Sequence, residues 1–175
     1  MSNLKYCNEL LETLNIMEKG LLTPLESISG KSLNYVFAEN KMTIGQIAVH
    51  CGAWPEYFMT DKPSWEPVKW TCRFVDYPLT LDIVKGIISV GFNSIRNKLK
   101  LIDDQLLEID EKGNKGPGYI ICRLMLHTMV HSNQMAYLRQ IIDPEWSDRG
   151  MFGKMAAAYI KLSYFTERDK NVFGF

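Results

Sequence analysis

The chain has 175 residues, of which 46% are hydrophobic and 23% are charged, and its 20 basic and 20 acidic side chains give no net charge. This composition argues against a disordered chain, and the charge balance supplies no positive field for binding DNA or RNA. We therefore expect one compact domain over residues 1–175. At this length folding buries about 70% of the unfolded chain's surface, so the core needs no structural metal.

The cysteines and the hydropathy pattern predict a cytoplasmic protein. No two of the four cysteines have Cys-x-x-Cys spacing, so we expect reduced thiols rather than a redox or zinc-knuckle site. They are Cys7, Cys51, Cys72 and Cys122. No apolar run reaches the ~18 residues that a membrane-spanning helix needs, and charged side chains in the first turns exclude a secretory signal.

Helical periodicity covers most of the first half of the chain. An apolar stripe over residues 4–21 predicts the first helix, which ends near Pro24. After a polar stretch, Thr43 and Gln46 have the spacing of a capping box and predict a second helix that runs to about residue 59. An aromatic connection of about 18 residues follows, and its prolines exclude a regular helix there.

The second half predicts three further helices. Thr80 opens a third helix whose apolar stripe continues to Leu106, a glycine-rich break follows near residues 111–118, and a fourth helix covers about 119–142. A shorter fifth helix is expected at about 153–165. Long helices joined by clear breaks predict an all-α fold, a four-helix bundle with a long loop between helices 2 and 3 and a short C-terminal helix.

All three histidines of the chain fall on apolar stripes. His127 and His131 are four residues apart on the fourth helix and can therefore direct their rings to one point. His50 occupies a similar position on the second helix. The inward series are predicted as Ile120, Leu124, His127, His131, Gln134, Leu138 and Ile141 on the fourth helix, and Thr43, Ile47, His50, Trp54 and Tyr57 on the second.

Three buried imidazoles need a common partner, because an unpaired buried polar group costs roughly 2–7 kcal/mol. A divalent transition metal suits neutral imidazole, and three protein ligands leave one coordination position open, as in catalytic sites. We therefore predict that His50, His127 and His131 bind a metal. The segment His127-Thr-Met-Val-His131 lacks the glutamate of the His-Glu-x-x-His motif, which disfavours a metalloprotease.

Two segments that contain these histidines resemble the DinB/YfiT-like family. In that family a Thr-x-Gly-x-Leu-x-x-His motif opens helix 2 and a His-x-x-x-His-x-x-Gln motif lies on helix 4. The matching segments here are Met42–His50 and Leu126–Arg139, whereas Ser132 and Asn133 replace the usual Arg-Gly pair. The resemblance covers most of the chain. It implies a four-helix bundle, a metal held by the three histidines, and a homodimer.

Family members with assigned chemistry include metal-dependent transferases and isomerases that use low-molecular-weight thiols such as mycothiol or bacillithiol. The resemblance therefore implies transfer of such a thiol to a small electrophilic substrate, with zinc or nickel as the metal. A metal-dependent hydrolase is the alternative, since a metal at three imidazoles can also generate hydroxide. A helical dimer with a structural or vestigial metal, and a small-molecule sensor, are the non-catalytic alternatives.

Other residues are weaker candidates. Trp54 and Tyr57 follow His50 by one and two turns and are expected to line the substrate pocket, although both also suit ordinary core packing. Trp65 and Trp70 are expected to cap the open end of the bundle or simply to pack against it. Glu18 lies at the inner edge of helix 1, where a solvated carboxylate is expected more than a base. The glycines at 113–118 do not follow a strand and predict a linker, not a phosphate-binding loop.

Overall fold

The computed structural model describes residues 4–39, 41–61, 78–109, 113 and 115–162. Within these residues the chain is helical, and the β-type pairing is an isolated bridge between Ile109 and Lys115. The predicted all-α class is confirmed. The helices are α1 (Lys5–Leu22), a 3-10 turn (Thr23–Leu25), α2 (Gly30–Leu33), α3 (Ile44–Met59), α4 (Leu81–Lys100), α5 (Asp104–Glu108), α6 (Gly118–Ile142) and α7 (Met151–Ile160).

The longest helices supply most of the core. Helix α3 packs chiefly against α4 and α6, while α1 contacts α4, α6 and α7. The predicted apolar stripe of α4 is confirmed over its first five positions, which are all buried: Val84, Ile88, Phe92, Ile95 and Leu99. A stripe of this kind holds α4 against its neighbours because each buried side chain removes apolar surface from water.

The predicted capping box fixes the start of α3. The Thr43 hydroxyl accepts a hydrogen bond from the Gln46 backbone N–H at 3.2 Å, and the Gln46 side-chain oxygen accepts one from the Thr43 N–H at 2.8 Å. Helix α3 therefore begins at Ile44. A fixed start also fixes which face of the helix each later residue occupies, His50 included.

The third and fifth predicted helices have different ends in the structure. Helix α4 ends at Lys100 and not at Leu106, because the Asp103 side chain accepts hydrogen bonds from the backbone of Gln105 and Leu106 and so starts a new helix, α5. The last helix begins at Met151, where the Asp148 carboxylate accepts from the backbone of the first turn, and it ends at Ile160.

Two further differences concern the connections. The polar stretch before Thr43 contains the short helix α2, which begins where the Ser29 hydroxyl accepts from the Ser32 N–H. The aromatic connection with Trp65 and Trp70 lies outside the described residues, so its predicted capping role stays a prediction.

Helices α3 and α4 are in backbone contact where two glycines face each other. A β-carbon built on Gly91 would lie 1.9 Å from the carbonyl oxygen of Gly52, and one on Gly52 would lie 2.8 Å from the backbone nitrogen of Ile88. Neither position has room for a larger residue. This close approach fixes the distance of α3, which carries His50, from α4.

The start of α1 is capped by a residue from a distant part of the chain. Asp104 of α5 is only 2% exposed, and its two carboxylate oxygens accept hydrogen bonds from the backbone N–H groups of Tyr6 at 3.0 Å and Cys7 at 2.9 Å. Helix α1 has no cap from its own N-terminal side chain. Asp104 therefore satisfies two donors that every helix start leaves without an intrahelical partner.

Replacing Asp104 with alanine is expected to lower the free energy of unfolding by about 2–3 kcal/mol, because two buried backbone donors lose their acceptor. Urea denaturation measures the change. Asp61→Ala is the matched control, since Asp61 is exposed and should change stability by less than about 0.5 kcal/mol. Equal effects of the two substitutions would contradict the capping role.

Candidate metal centre

The structure brings the three histidines together. His50 comes from α3, and His127 and His131 come from successive turns of α6. Each histidine offers one ring nitrogen, and these three nitrogens lie within 4.8 Å of one another. All three side chains are partly buried. The predicted convergence of the imidazoles is confirmed, whereas metal binding itself stays a prediction.

Neighbouring groups define the protonation of two rings. The Trp54 indole N–H donates to Nδ1 of His50 at 3.2 Å, so that nitrogen carries no proton. Nε2 of His50 then carries the proton and donates to Nε2 of His127 at 3.0 Å. Metal coordination through Nε2 of His50 requires the opposite tautomer, so it must disrupt the Trp54 hydrogen bond.

His131 is already oriented as a metal ligand. Its Nδ1 lies 2.9 Å from the side-chain oxygen of Gln134, one turn later on α6. A carbonyl oxygen can only accept, so Nδ1 carries the proton, and in the neutral ring Nε2 has the free electron pair. This arrangement, with the second ring nitrogen held by an oxygen acceptor, is the one that metal-binding histidines commonly have.

His127 is held in its neutral form. The pKa of His127 is lowered from 6.5 to about 3. Burial is the largest cause of this pKa shift, and the neighbouring His131 and His50 also contribute. A neutral imidazole has the electron pair that a metal ligand needs. The environment that excludes a proton from this ring therefore leaves it available to a metal at neutral pH.

The donor set fits a divalent transition metal. Tetrahedral ligands at Zn–N distances of 2.0–2.1 Å are about 3.3 Å apart. The Nε2 atoms of His50 and His127 are separated by 3.0 Å, and the third donor lies within 4.8 Å of both. Three neutral nitrogens are therefore close enough to bind one ion once His50 changes tautomer and releases the Trp54 indole. No other group of three or more histidine, cysteine or acidic side chains in the described residues converges in this way.

The predicted inward series on α6 is only partly correct. Leu124 is buried as expected, but Gln134 and Ile141 are exposed. The histidines lie at the edge of the buried face and not at its centre. Part of that face is polar, so the apolar pattern did not predict its position. The buried residues of α6 are Gly118, Ile121, Cys122, Leu124, Met125, Thr128, Ser132, Met135, Ala136 and Arg139.

A cleft of about 540 Å³ opens beside the histidines, between α3 and the first half of α6. His50 and His127 form part of its wall. The remaining lining residues are Trp54, Phe58, Tyr119, Ile120, Arg123, Leu124 and Leu126. Its volume is in the range of small-molecule binding sites, and its wall is mostly apolar.

The two predicted pocket residues differ in position. Trp54 lines the cleft and stacks on Phe58, with ring centroids 5.2 Å apart and planes at 13°. Tyr57 is not among the lining residues and instead contacts the Trp54 and Phe58 rings edge-on. A substrate contact by Trp54 or Tyr57 stays a prediction. Glu18 is partly buried, as predicted for a helix-edge carboxylate, and it forms an ion pair with Arg96 of α4 that the sequence did not predict.

The sequence analysis missed four lining residues, Phe58, Tyr119, Arg123 and Leu126, of which the first three form a row with residues that it did identify. Their signal was present, because Tyr119 and Arg123 precede His127 at steps of four and so share its face of α6. Phe58 likewise follows Trp54 by four residues on α3. Extending the four-residue series from the histidines in both directions would have found this wall.

The described cysteines are unsuited to act as nucleophiles. Cys7, Cys51 and Cys122 are buried and form no disulfide. Burial raises the pKa of Cys7 and of Cys122 to about 12, and it raises the pKa of Cys51 as well. Since the thiolate is the reactive form, none of these three side chains supplies a reactive thiol at neutral pH.

Comparison of the chain with protein-family models, with curated proteins and with solved structures found no match. Among the described helices, none combines the length and the apolar character needed to cross a membrane.

Proposed function

We propose that the protein is a metal-dependent enzyme that transfers a low-molecular-weight thiol to a small electrophilic substrate. The observation that carries the proposal is the convergence of His50, His127 and His131 at the wall of an apolar cleft. A divalent metal, when bound there, supplies a Lewis acid that favours deprotonation of a thiol or of water.

The site's own residues favour a thiol cosubstrate over hydrolysis. None of the described residues that line the cleft is acidic, so no carboxylate of that set stands beside the histidines to act as a general base towards water. A thiol needs no such base, because its pKa is much closer to neutrality than that of water. None of the three described cysteines offers such a thiol, since all are buried and protonated, which favours a thiol from a cosubstrate.

The fold and assembly that the family resemblance implies belong to the same proposal. We infer a DinB/YfiT-like four-helix bundle from α1, α3, α4 and α6. A homodimer is supported by exposed apolar side chains along α6, namely Val130, Tyr137 and Ile141. Sedimentation velocity tests the assembly, and a monomer over the micromolar range would contradict it.

The reaction is tested with protein purified without an affinity tag and loaded with Zn²⁺ or Ni²⁺. Bacillithiol, mycothiol, glutathione and cysteine are each combined with monochlorobimane, an electrophile that becomes fluorescent when a thiolate displaces its chloride. We expect conjugation above the uncatalysed rate with at least one thiol, and we expect chelation of the metal to abolish it.

The His127→Leu variant provides the matched control for this assay, because it should lose metal and turnover together. Metal-dependent ester hydrolysis without a thiol would instead identify a hydrolase. A folded, metal-loaded protein that neither binds nor conjugates any of the four thiols would overturn the proposed transferase.

A further inference from the structure

The cleft has a positively charged side chain one helical turn from the histidines. Tyr119, Arg123, His127 and His131 follow one another at steps of four on α6. Successive members of such a row lie about 6 Å apart along the helix axis and on one face. Arg123 therefore stands beside His127 on the cleft wall.

Tyr119 holds the Arg123 guanidinium in place. Nη1 of Arg123 donates to the Tyr119 hydroxyl at 2.8 Å, and the guanidinium carbon lies 5.5 Å from the centre of the same ring. The Lys115 ammonium lies 5.4 Å from that ring centre as well. Two cations are thus gathered around Tyr119 at one end of the cleft.

This charge is not balanced by acidic groups of the cleft. The described lining residues include no aspartate or glutamate, and in the described part of the chain Arg123 forms no ion pair. Its other neighbours in the wall are mostly apolar. A cation beside an apolar surface attracts anions more strongly than it would in open water, and arginine has the planar donor pattern that suits carboxylates.

We propose that the cleft binds an apolar organic anion, with Arg123 as the residue that binds its carboxylate or a similar group. The aromatic wall of Trp54 and Phe58 takes the apolar body. Resting on the proposed function, this ligand is the electrophilic substrate, with its anionic group at the Arg123 guanidinium near Tyr119 and its reacting end towards the histidines.

Two fluorescent probes with the same ring system test the proposal in metal-free protein. One is 1-anilinonaphthalene-8-sulfonate, which is anionic, and the other is N-phenyl-1-naphthylamine, which lacks the sulfonate. We expect Arg123→Gln to weaken binding of the anionic probe about 10-fold, as for a lost charge-assisted hydrogen bond, and that of the neutral probe less than about 2-fold.

Two further variants locate the probes. Arg149→Gln makes the same charge change in an exposed turn before α7 and should leave both affinities unchanged. Phe58→Ala should weaken both probes, because both rest on the aromatic wall. Circular dichroism and thermal melting confirm that each variant is folded.

The proposal is overturned if Arg123→Gln affects the two probes equally, if Arg149→Gln reproduces its effect, or if Phe58→Ala leaves both probes unaffected. Because these titrations contain no metal and no thiol, they are independent of the transferase assay. Absence of thiol transfer would thus contradict the proposed function without contradicting anion binding at Arg123. Absence of anion binding would not contradict metal binding by the three histidines.

Discussion

Leucine in place of His127 is expected to reduce zinc affinity at least 100-fold without unfolding the protein. His127 supplies one of the three nitrogens of the cluster, 3.0 Å from that of His50, and its removal leaves only two imidazoles for the ion. Loss of one ligand from a three-histidine site removes a large part of its binding free energy. Isothermal titration calorimetry, with competition by a chelator for tight binding, measures the change.

The same substitution should have a different effect on the metal-free protein. Burial and two neighbouring imidazoles lower the pKa of His127 to about 3, so the site opposes a positive charge on this ring. Leucine has a similar volume and needs no hydrogen bond. We therefore expect the variant to melt at the same temperature as the metal-free wild type or above it.

Zinc at 100 times the wild-type dissociation constant should stabilise the wild-type protein by about 2.7 kcal/mol and the variant by at most about 0.4 kcal/mol. Gln140→Leu, at an exposed position of the same helix, is the control and should bind zinc normally. Wild-type affinity and a 1:1 stoichiometry in His127→Leu would contradict the three-histidine site.

The histidine cluster was predictable because its members follow simple helical arithmetic. The capping box fixed the start of α3, the four-residue spacing placed His127 above His131, and three polar rings on apolar stripes required a shared partner. Their exact depth was not predictable. The buried face of α6 includes the polar residues Thr128, Ser132 and Arg139, while Val130 and Ile141 are exposed. The apolar pattern of this helix therefore predicts the wrong orientation.

Helix ends were less predictable than helix positions, for a related reason. The apolar spacing of α4 continues through Ile102 to Leu106 although the helix stops at Lys100. The end of α4 depends on Asp103, whose side chain accepts hydrogen bonds from the first turn of the next helix. A single acidic residue is too weak a sequence signal to predict this. The capping of α1 by Asp104 depends on a contact across 97 residues, which local patterns do not contain.

The crossing of α3 and α4 is expected to be the point of the fold least tolerant of added volume. Gly91→Ala should lower the free energy of unfolding by about 3 kcal/mol, because the new β-carbon would stand 1.9 Å from a backbone carbonyl that cannot rotate away. Relief requires the two helices to separate. Urea denaturation measures the loss.

Gly86→Ala is the matched control on the same helix. Apart from its own helix backbone and chain neighbours, a β-carbon at Gly86 meets no atom of the described residues within 4 Å, and this position is exposed. Alanine there should raise stability by up to about 1 kcal/mol, because it restricts the unfolded chain and favours the helix. The two substitutions are chemically identical, so opposite signs would isolate the close helix approach as the cause.

The Gly91 substitution should also change the geometry of the three-histidine site. Its clash is with Gly52, two residues after His50 on α3, so separating α3 from α4 displaces His50 relative to the two histidines of α6. We expect zinc affinity to fall with stability in Gly91→Ala and to stay unchanged in Gly86→Ala, because a metal site tolerates little displacement of one ligand. A destabilised Gly91→Ala protein with unchanged zinc affinity would show that His50 does not depend on this helix contact.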